Sequence, residues 1–214
     1  MATACSTLLS DLLDRLRDPN AQMLATNSPP TTASGTTLGY TLLTVAEQFV
    51  NLAILQYKNI YSVTFSGSYV LYDMLVSGPS DYGGKITAIN TTSQELDGPV
   101  DFRALGRANL NWLTATGSTY LQWAPIGNEF VAVVPAISSS QPTLYIYYVA
   151  LTPNEASGNN ITLSDDASEN ITNLAELLGR IKTRQLTNFQ QRVQDFAAAL
   201  KVRIDLAATG GKAD

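Results

Sequence analysis

The stretch Phe130–Pro153, FVAVVPAISSSQPTLYIYYVALTP, contains two apolar runs joined by a polar segment, and a proline closes each run. The second run carries three tyrosines, Tyr145, Tyr147 and Tyr148. A strand with one face on a core and the other in water alternates apolar with polar residues, and neither run does so. We therefore expect both faces of each strand to be covered, either by other parts of this chain or by a neighbouring subunit.

Successive side chains of a strand point to opposite sides, so the residues of the second strand fall on two faces. One face carries Leu144, Ile146, Tyr148 and Ala150, and the other carries Thr143, Tyr145, Tyr147, Val149 and Leu151. Tyrosine is enriched at protein interfaces, since its ring is buried while its hydroxyl meets a polar partner. We predict that Tyr145, Tyr147 and Val149 form a subunit interface. The alternative is that other strands of this chain cover them.

Outside this stretch, the chain divides into helix, strand and helix. An apolar period of two extends from Ile60 to Leu151, and helical spacing precedes it and resumes near Asn173. Helices and strands that are segregated in this way indicate an α+β fold with an antiparallel sheet. We predict a central antiparallel β meander or sandwich, flanked by N-terminal helices and a C-terminal helical segment.

The same patterns predict a single α+β domain over residues 1–206. Its parts are an N-terminal helix in 1–24, a flexible Pro/Thr-rich arm in 25–41, a helix in 42–58, a β block in 60–153 and C-terminal helices in 170–206. Residues 207–214 are small and include glycine, and they are expected to form a disordered tail.

The last predicted helix has a narrow apolar seam formed by Phe189, Val193, Phe196 and Leu200. From Arg180 to Arg203 there are six basic residues and one acid, whereas Asp18 to Gly179 contains four basic and thirteen acidic residues. A basic amphipathic helix is typical of a segment that docks into a partner's groove. The alternatives are that the seam packs on its own domain and that the charges form a solvated face.

Composition indicates a protein that is largely covered by partners, or a secreted β-rich protein. Hydrophobic residues make up 45% of the chain and charged residues 14%, against roughly 25% charged residues in average soluble proteins.

Cys5 is the single cysteine, which excludes an intrachain disulfide. The N-terminus resembles no signal peptide, and no run reaches the roughly 18 apolar residues of a membrane span. We expect a soluble protein made in the cytoplasm.

The residues that carry most enzyme chemistry are scarce. The chain has no histidine, which excludes the usual Ser-His-Asp and Cys-His arrangements and most zinc sites. The remaining acidic candidates are Asp97 with Asp101, and Asp165 with Asp166 and Glu169. They lie in polar, loop-like surroundings without the spacing of an EF-hand. We expect no enzyme activity, cofactor or metal. The tyrosine strand contains no lysine or arginine, which disfavours nucleic-acid readout.

The layout resembles the head–tail connector adaptor proteins of tailed bacteriophages over roughly Leu42 to Leu206. The matching features are Asp101-Phe102-Arg103-Ala104-Leu105, Trp112, Trp123, the strand ending at Pro135, the strand ending at Pro153 and the C-terminal helices. The Pro/Thr-rich segment from Thr26 to Gly39 is longer than that family's turn, and the last helix also extends further.

The resemblance implies a virion structural protein, an adaptor ring subunit that joins portal to tail and lines the DNA channel. Its implied partners are itself, in a homo-oligomeric and dodecameric ring, the portal protein, and a tail or stopper/nozzle protein. Double-stranded DNA would pass without specific binding, and no membrane would be involved. The implied location is the virion neck after synthesis in the host bacterial cytoplasm. The resemblance also implies that the seam Phe189, Val193, Phe196 and Leu200 docks on the portal.

Other functions remain open from the sequence. Another phage part, such as a tail-completion, stopper or tail-tube protein, would need similar interfaces. A β-rich carbohydrate-binding module would present tyrosine and tryptophan along a groove. A glycosidase needs only paired carboxylates, for which Asp101 and Asp165 are the residues to test.

Overall fold

The computed structural model describes residues 3–18, 20–26, 34–64, 71–108, 111–117, 121–137 and 143–208. These residues form two compact units. The first unit comprises Met1–Tyr57 and Thr152–Asp214, and the second comprises Lys58–Leu151. The predicted α+β fold is confirmed, with N-terminal helices, antiparallel sheets in the middle of the chain and C-terminal helices. The prediction of a single domain stays a prediction, because compact units do not establish how many parts fold independently.

The described elements follow one another in a simple order. The helices are α1 (Cys5–Leu16), α2 (Gln22–Thr26), α3 (Gly35–Ile54), α4 (Phe102–Ala108), α5 (Ser168–Lys182) and α6 (Phe189–Ala208), and a short 3-10 helix spans Asp165–Ala167. The strands are β1 (Lys58–Val63), β2 (Leu71–Asp73), β3 (Tyr82–Asn90), β4 (Thr116–Gly117), β5 (Gln122–Ile126), β6 (Phe130–Val134), β7 (Ala136–Ile137) and β8 (Leu144–Ala150).

The core of the first unit lies among α1, α3 and α5. The apolar stripe of α1 is buried at Leu8, Leu9, Leu12, Leu13 and Leu16, as its helical spacing predicts. Two glycines allow close packing against this stripe. A Cβ at Gly39 would lie 2.4 Å from Leu9 Cδ1, and a Cβ at Gly179 would lie 2.8 Å from Leu16 Cδ1. A larger residue at either glycine would require these leucine side chains to move.

The start of α3 corrects the predicted arm over 25–41. Residues 27–33 lie outside the described residues, but α3 begins at Gly35 and Ser34 caps it, with Ser34 Oγ accepting from Thr37 N at 3.2 Å. A Cβ at Gly35 would lie 1.7 Å from Ala21 O, so the glycine permits contact with the preceding segment. The predicted helix over 42–58 also ends early, because Leu55 adopts a left-handed conformation with φ 56°.

The second unit contains two three-stranded antiparallel sheets, ordered β1-β8-β3 and β2-β6-β5, and a short parallel pair of β4 with β7. Among the described strands, β5 and β6 alone pair as neighbours in sequence, as in a meander. The two apolar runs of Phe130–Pro153 therefore belong to different sheets. The two sheets share one core, to which Val131 and Val133 of β6 and Leu144 and Ile146 of β8 contribute.

Strand β6 is covered on both sides by this chain. Val131 and Val133 face the core between the sheets, whereas Ala132 and Val134 pack in a second cluster with Leu105 of α4. This double burial explains why the first run lacks polar alternation. For β6, the covering protein is the chain itself rather than a neighbour.

The C-terminal helices agree with the predicted span 170–206 to within two residues at each end, since α5 begins at Ser168 and α6 ends at Ala208. Part of the predicted disordered tail over 207–214 is thus helical at residues 207 and 208. Residues 209–214 lie outside the described residues.

Candidate interaction surfaces

The outer face of the sheet β1-β8-β3 is the first candidate surface. Tyr145 and Tyr147 of β8 lie on this face and are half-buried. Tyr147 is flanked by Ile60 of β1 and Ala88 of β3, and Ile60 is 52% exposed. The opposite face of β8 is closed, with Leu144 and Ile146 fully buried in the core. The outer face therefore presents aromatic and aliphatic groups that the chain covers only in part.

Val149 does not belong to the exposed part of this surface. Its side chain is fully buried within the chain, so a partner subunit has no free area of it to cover. Its cross-strand neighbours are Lys58 and Lys85, and both are exposed. We call Lys58, Ile60, Lys85, Tyr145 and Tyr147 the outer sheet face. The tyrosine strand itself contains no cation. The two lysines come from the adjacent strands β1 and β3, so the sequence of β8 alone does not show them.

The seam predicted as a docking helix lies on α6, which packs against α5 and α3. Phe189, Phe196 and Leu200 are half-buried, and Val193 is 40% exposed. The seam thus packs in part on its own unit, which was the alternative interpretation of its spacing. Further along the helix, Val202 is 59% exposed.

Several cations of the basic C-terminal region are neutralised within the first unit. Arg180 Nε lies 2.7 Å from Glu176 Oε1, and Arg192 also pairs with this oxygen. Arg203 Nη1 lies 2.6 Å from Asp166 Oδ2. The positive charge available to a partner is therefore smaller than the sequence suggests.

The turn after β2 is an exposed apolar feature that the sequence did not single out. Leu75 and Val76 are 60% and 81% exposed. Their backbone N–H groups donate to Asp73 Oδ1 at 2.9 and 2.8 Å, and the Tyr72 hydroxyl donates to Ser77 O at 2.6 Å. These bonds hold the turn in place while its two apolar side chains face solvent.

Helix α3 exposes a second apolar pair, Val45 and Phe49, which are 46% and 54% exposed. Val45 borders a groove of about 710 Å³ whose other wall is the segment Asn154–Ser157. The groove is lined mainly by threonine, serine and amide side chains.

A buried cluster of acids and a thiol lies behind this groove. Glu47 of α3 is fully buried, Glu155 is 8% exposed and Cys5 of α1 is fully buried. The Cys5 thiol donates to Glu155 Oε2. Burial, then the hydrogen bond with Glu47, raises the pKa of Glu155 to about 8. In the sequence, the one sign of this cluster is that Glu47 interrupts the apolar stripe of a helix.

The carboxylates considered for hydrolysis are exposed. Asp97, Asp101, Asp165 and Asp166 all lie at the surface. Hydrogen bonding from the Thr3 hydroxyl lowers the pKa of Asp165, and the bond from Arg203 lowers that of Asp166. A general acid needs a raised pKa, so these two shifts have the wrong direction for that role. Within the described ranges, no group of three acidic, cysteine or histidine side chains is arranged to hold a metal.

Comparisons with known proteins assign no family to the chain. Neither the scan against protein-family models nor the search of curated proteins found a match. None of the helices in the described part of the chain is long and apolar enough to span a membrane.

Proposed function

We propose that the chain is a virion structural protein, an adaptor ring subunit of a phage head–tail connector that joins portal to tail and lines the DNA channel. The observation that carries this proposal is the outer sheet face, where Ile60, Tyr145 and Tyr147 are incompletely covered on a sheet whose other side is closed. Subunits of a permanent ring need such lateral apolar surfaces.

A second copy of the chain is the occupant that we propose for the outer sheet face. Lys58 and Lys85 are two of only four basic residues between Asp18 and Gly179, where thirteen residues are acidic. A lysine-flanked aromatic face therefore complements the acidic surface of another copy. A contact between two different surfaces of the same chain is heterologous, and it closes into a ring when the rotation between copies permits.

The acidic excess of the chain suits a channel through which DNA passes. Between Asp18 and Gly179 there are thirteen acidic and four basic residues. Protein cations that neutralise phosphates release counterions and bind DNA, whereas exposed carboxylates repel phosphates. An acidic wall would thus favour passage over binding.

The contact with the portal is proposed for α6. Val193 is exposed on this helix, and Lys201, about two turns further along the same side, is also exposed. An amphipathic helix with such a surface can lie in a partner's groove. The half-buried seam residues Phe189 and Phe196 would support the helix from its own unit.

Replacement of Tyr147 by aspartate tests the lateral contact. Because Tyr147 is half-exposed on the outer sheet face, we expect Tyr147→Asp to fold normally and to lose self-association in analytical ultracentrifugation. Thr92→Asp, which adds the same charge at an exposed loop position, is the control and should assemble like the unmodified protein. Equal assembly of both variants would remove the outer sheet face from the proposal.

The carbohydrate-binding alternative predicts a different outcome in the same experiment. Such a module would sediment as a monomer before any substitution is made, and it would bind oligosaccharides in a glycan screen through its tyrosines. A monomer with sugar affinity that is lost in Tyr147→Asp would favour that function over the ring.

A further inference from the structure

The segment Thr152–Ser164 lies along α3, and polar side chains of that helix and of Gln56 just beyond it hold the segment. Thr44 Oγ1 accepts from Glu155 N at 2.8 Å, and Gln48 Nε2 donates to Thr152 O at 3.3 Å. Glu47 Oε1 accepts from Thr162 N and Leu163 N at 2.7 and 3.0 Å, and Gln56 Oε1 accepts from Ser164 N at 3.2 Å. Ile161 and Leu163 are buried in the apolar core, and the fully buried Glu47 lies at the centre of the polar contacts.

The two carboxyl oxygens of Glu47 have different surroundings. Two backbone N–H groups donate to Oε1, which suits a carboxylate. Oε2 is buried, and it has no hydrogen-bond partner among the described residues. Because a buried polar atom without a partner is costly, this oxygen requires a donated proton.

Glu155 is the group placed to supply that proton. Its carboxyl interacts with the Glu47 carboxyl, and its own Oε2 accepts from the Cys5 thiol. Among the described residues, no lysine or arginine forms an ion pair with either carboxyl. Two adjacent buried carboxyls without a cation do not both ionise.

We propose that Glu155 retains its proton beside Glu47, and that this proton fastens Thr152–Ser164 to α3 as a latch that loosens as pH rises through neutrality. The proposal concerns the first unit alone and goes beyond the ring function. Its consequence is local, because Asn154–Ser157 forms one wall of the groove beside Val45. Loosening of the segment would therefore alter that surface.

The titratable groups around the pair allow the direction to be worked out. Burial, then Glu155, raises the pKa of Cys5 on α1 to about 12, and burial, then Cys5, raises the pKa of Tyr40 on α3. Both groups are thus neutral at pH 5 to 8. The latched Glu155, with a pKa of about 8, retains its proton over this range, whereas a released Glu155 loses it above about pH 4.3.

Release of the segment is therefore coupled to loss of one proton between about pH 4.3 and 8. In that range, the equilibrium constant for opening rises by up to about tenfold per pH unit. Above pH 8 the latched form is also ionised, so the dependence levels off. The segment should be held most firmly in acid.

Native-state hydrogen exchange of the unmodified protein tests this linkage. The amides of Glu155, Thr162 and Leu163 should be followed from pH 5 to 9, with each rate divided by the intrinsic rate at that pH. We expect their protection to fall by about thirtyfold or more between pH 5 and 8 and to stay constant above that. Protection that does not change with pH would overturn the proposal.

The variant Glu155→Gln distinguishes the effect of the titrating proton from the effect of side-chain shape, because glutamine has the size of glutamate but does not titrate. An amide NH₂ can donate to Glu47 at every pH, so protection in this variant should lose its pH dependence. Glu129→Gln makes the same change at an exposed site and should behave like the unmodified protein. A pH profile in Glu155→Gln that matches the unmodified protein would also overturn the proposal.

Carbon-13 NMR of the glutamate side-chain carboxyls gives a result that does not depend on any variant. One carboxyl signal of the folded protein should titrate near pH 8. If all carboxyl signals titrate below about pH 5, as ordinary glutamates do, Glu155 does not retain its proton and the proposal is wrong.

Discussion

At the scale of single residues, Glu155 links the fold to pH. Its pKa in the folded chain is raised to about 8 by burial and by Glu47, whereas the unfolded value is about 4.3. A raised pKa of an acid contributes stability that is fully present below the unfolded value and is lost as pH rises through the folded value. Between about pH 4.3 and 8, Glu155 therefore weakens the first unit progressively.

We expect Glu155→Gln to remove this loss. The unfolding free energy of the variant, relative to the unmodified protein, should increase between pH 4.5 and 8 by on the order of 2 to 4 kcal/mol. Urea unfolding across that pH range is the measurement. Glu129→Gln is the charge-matched control, and a constant difference for Glu155→Gln over the whole range would contradict the assignment.

Cys5 should be chemically inert in the folded protein. It is fully buried, and burial, then Glu155, raises its pKa to about 12. The reactive thiolate at pH 7 should then be on the order of a thousandfold rarer than for an ordinary thiol. Labelling with a disulfide reagent should be slow in buffer and fast in urea. Equal rates in the two conditions would show that the thiol is accessible in the native state.

The sequence gives little direct sign of these burial effects. Glu47 lies in the apolar stripe of α3 between Ala46 and Val50, which marks it as unusual but does not identify its partners. Glu155 belongs to a polar segment that reads as a solvated loop. Only the folded chain brings it to Cys5, which is distant in sequence.

At the scale of elements, Glu176 joins three helices. It pairs with Arg180 of its own helix α5, with Arg192 of α6, and more distantly with Arg15 of α1 at 4.0 Å. Its side chain is 6% exposed. We expect Glu176→Ala to reduce the unfolding free energy by about 3 kcal/mol, because the largely buried Arg180 loses its carboxylate partner, whereas Arg15 and Arg192 are exposed enough for water to replace it. Chemical denaturation measures this loss.

The control for this prediction is Glu169→Ala. Glu169 lies in the first turn of the same helix and is exposed, so its removal should cost about 1 kcal/mol or less through the helix dipole. A similar loss in both variants would mean that the arginine contacts of Glu176 contribute little.

Element boundaries show where sequence patterns succeed and where they do not. The apolar spacing of α1, α5 and α6 predicts these helices because each buries a stripe. Residues 35–41, GTTLGYT, have weak helix propensity and were predicted as an arm. They form the first turns of α3 because Gly35 and Gly39 allow close contact with Ala21 and Leu9, and tertiary packing outweighs propensity.

The candidate sites follow the same division. The alternation of β8 placed Tyr145 and Tyr147 on one face correctly, since side-chain direction is a local property. The burial of Val149 and the arrival of Lys58 and Lys85 beside it depend on the pairing of β8 with β1 and β3. Such pairing joins distant parts of the chain, and the spacing of apolar residues along one strand does not specify which strands pair with it.

At the scale of the whole molecule, the segregation of helices and strands along the chain was enough to predict the α+β class. The strand order was not predictable in the same way. The second unit is inserted between the two parts of the first, and its two apolar runs lie in separate sheets. Of these two runs, β6 is buried by the chain itself on both faces at Val131–Val134, so the outer sheet face of β8 remains the surface on which the proposed assembly depends.

Electron microscopy of the purified protein, alone and with a phage portal protein, is the most direct test of the ring proposal. We predict closed rings that bind coaxially to the portal, and rings that fail to form in Tyr147→Asp while Thr92→Asp forms them. A protein that stays monomeric and does not bind the portal under any condition would contradict the proposed function.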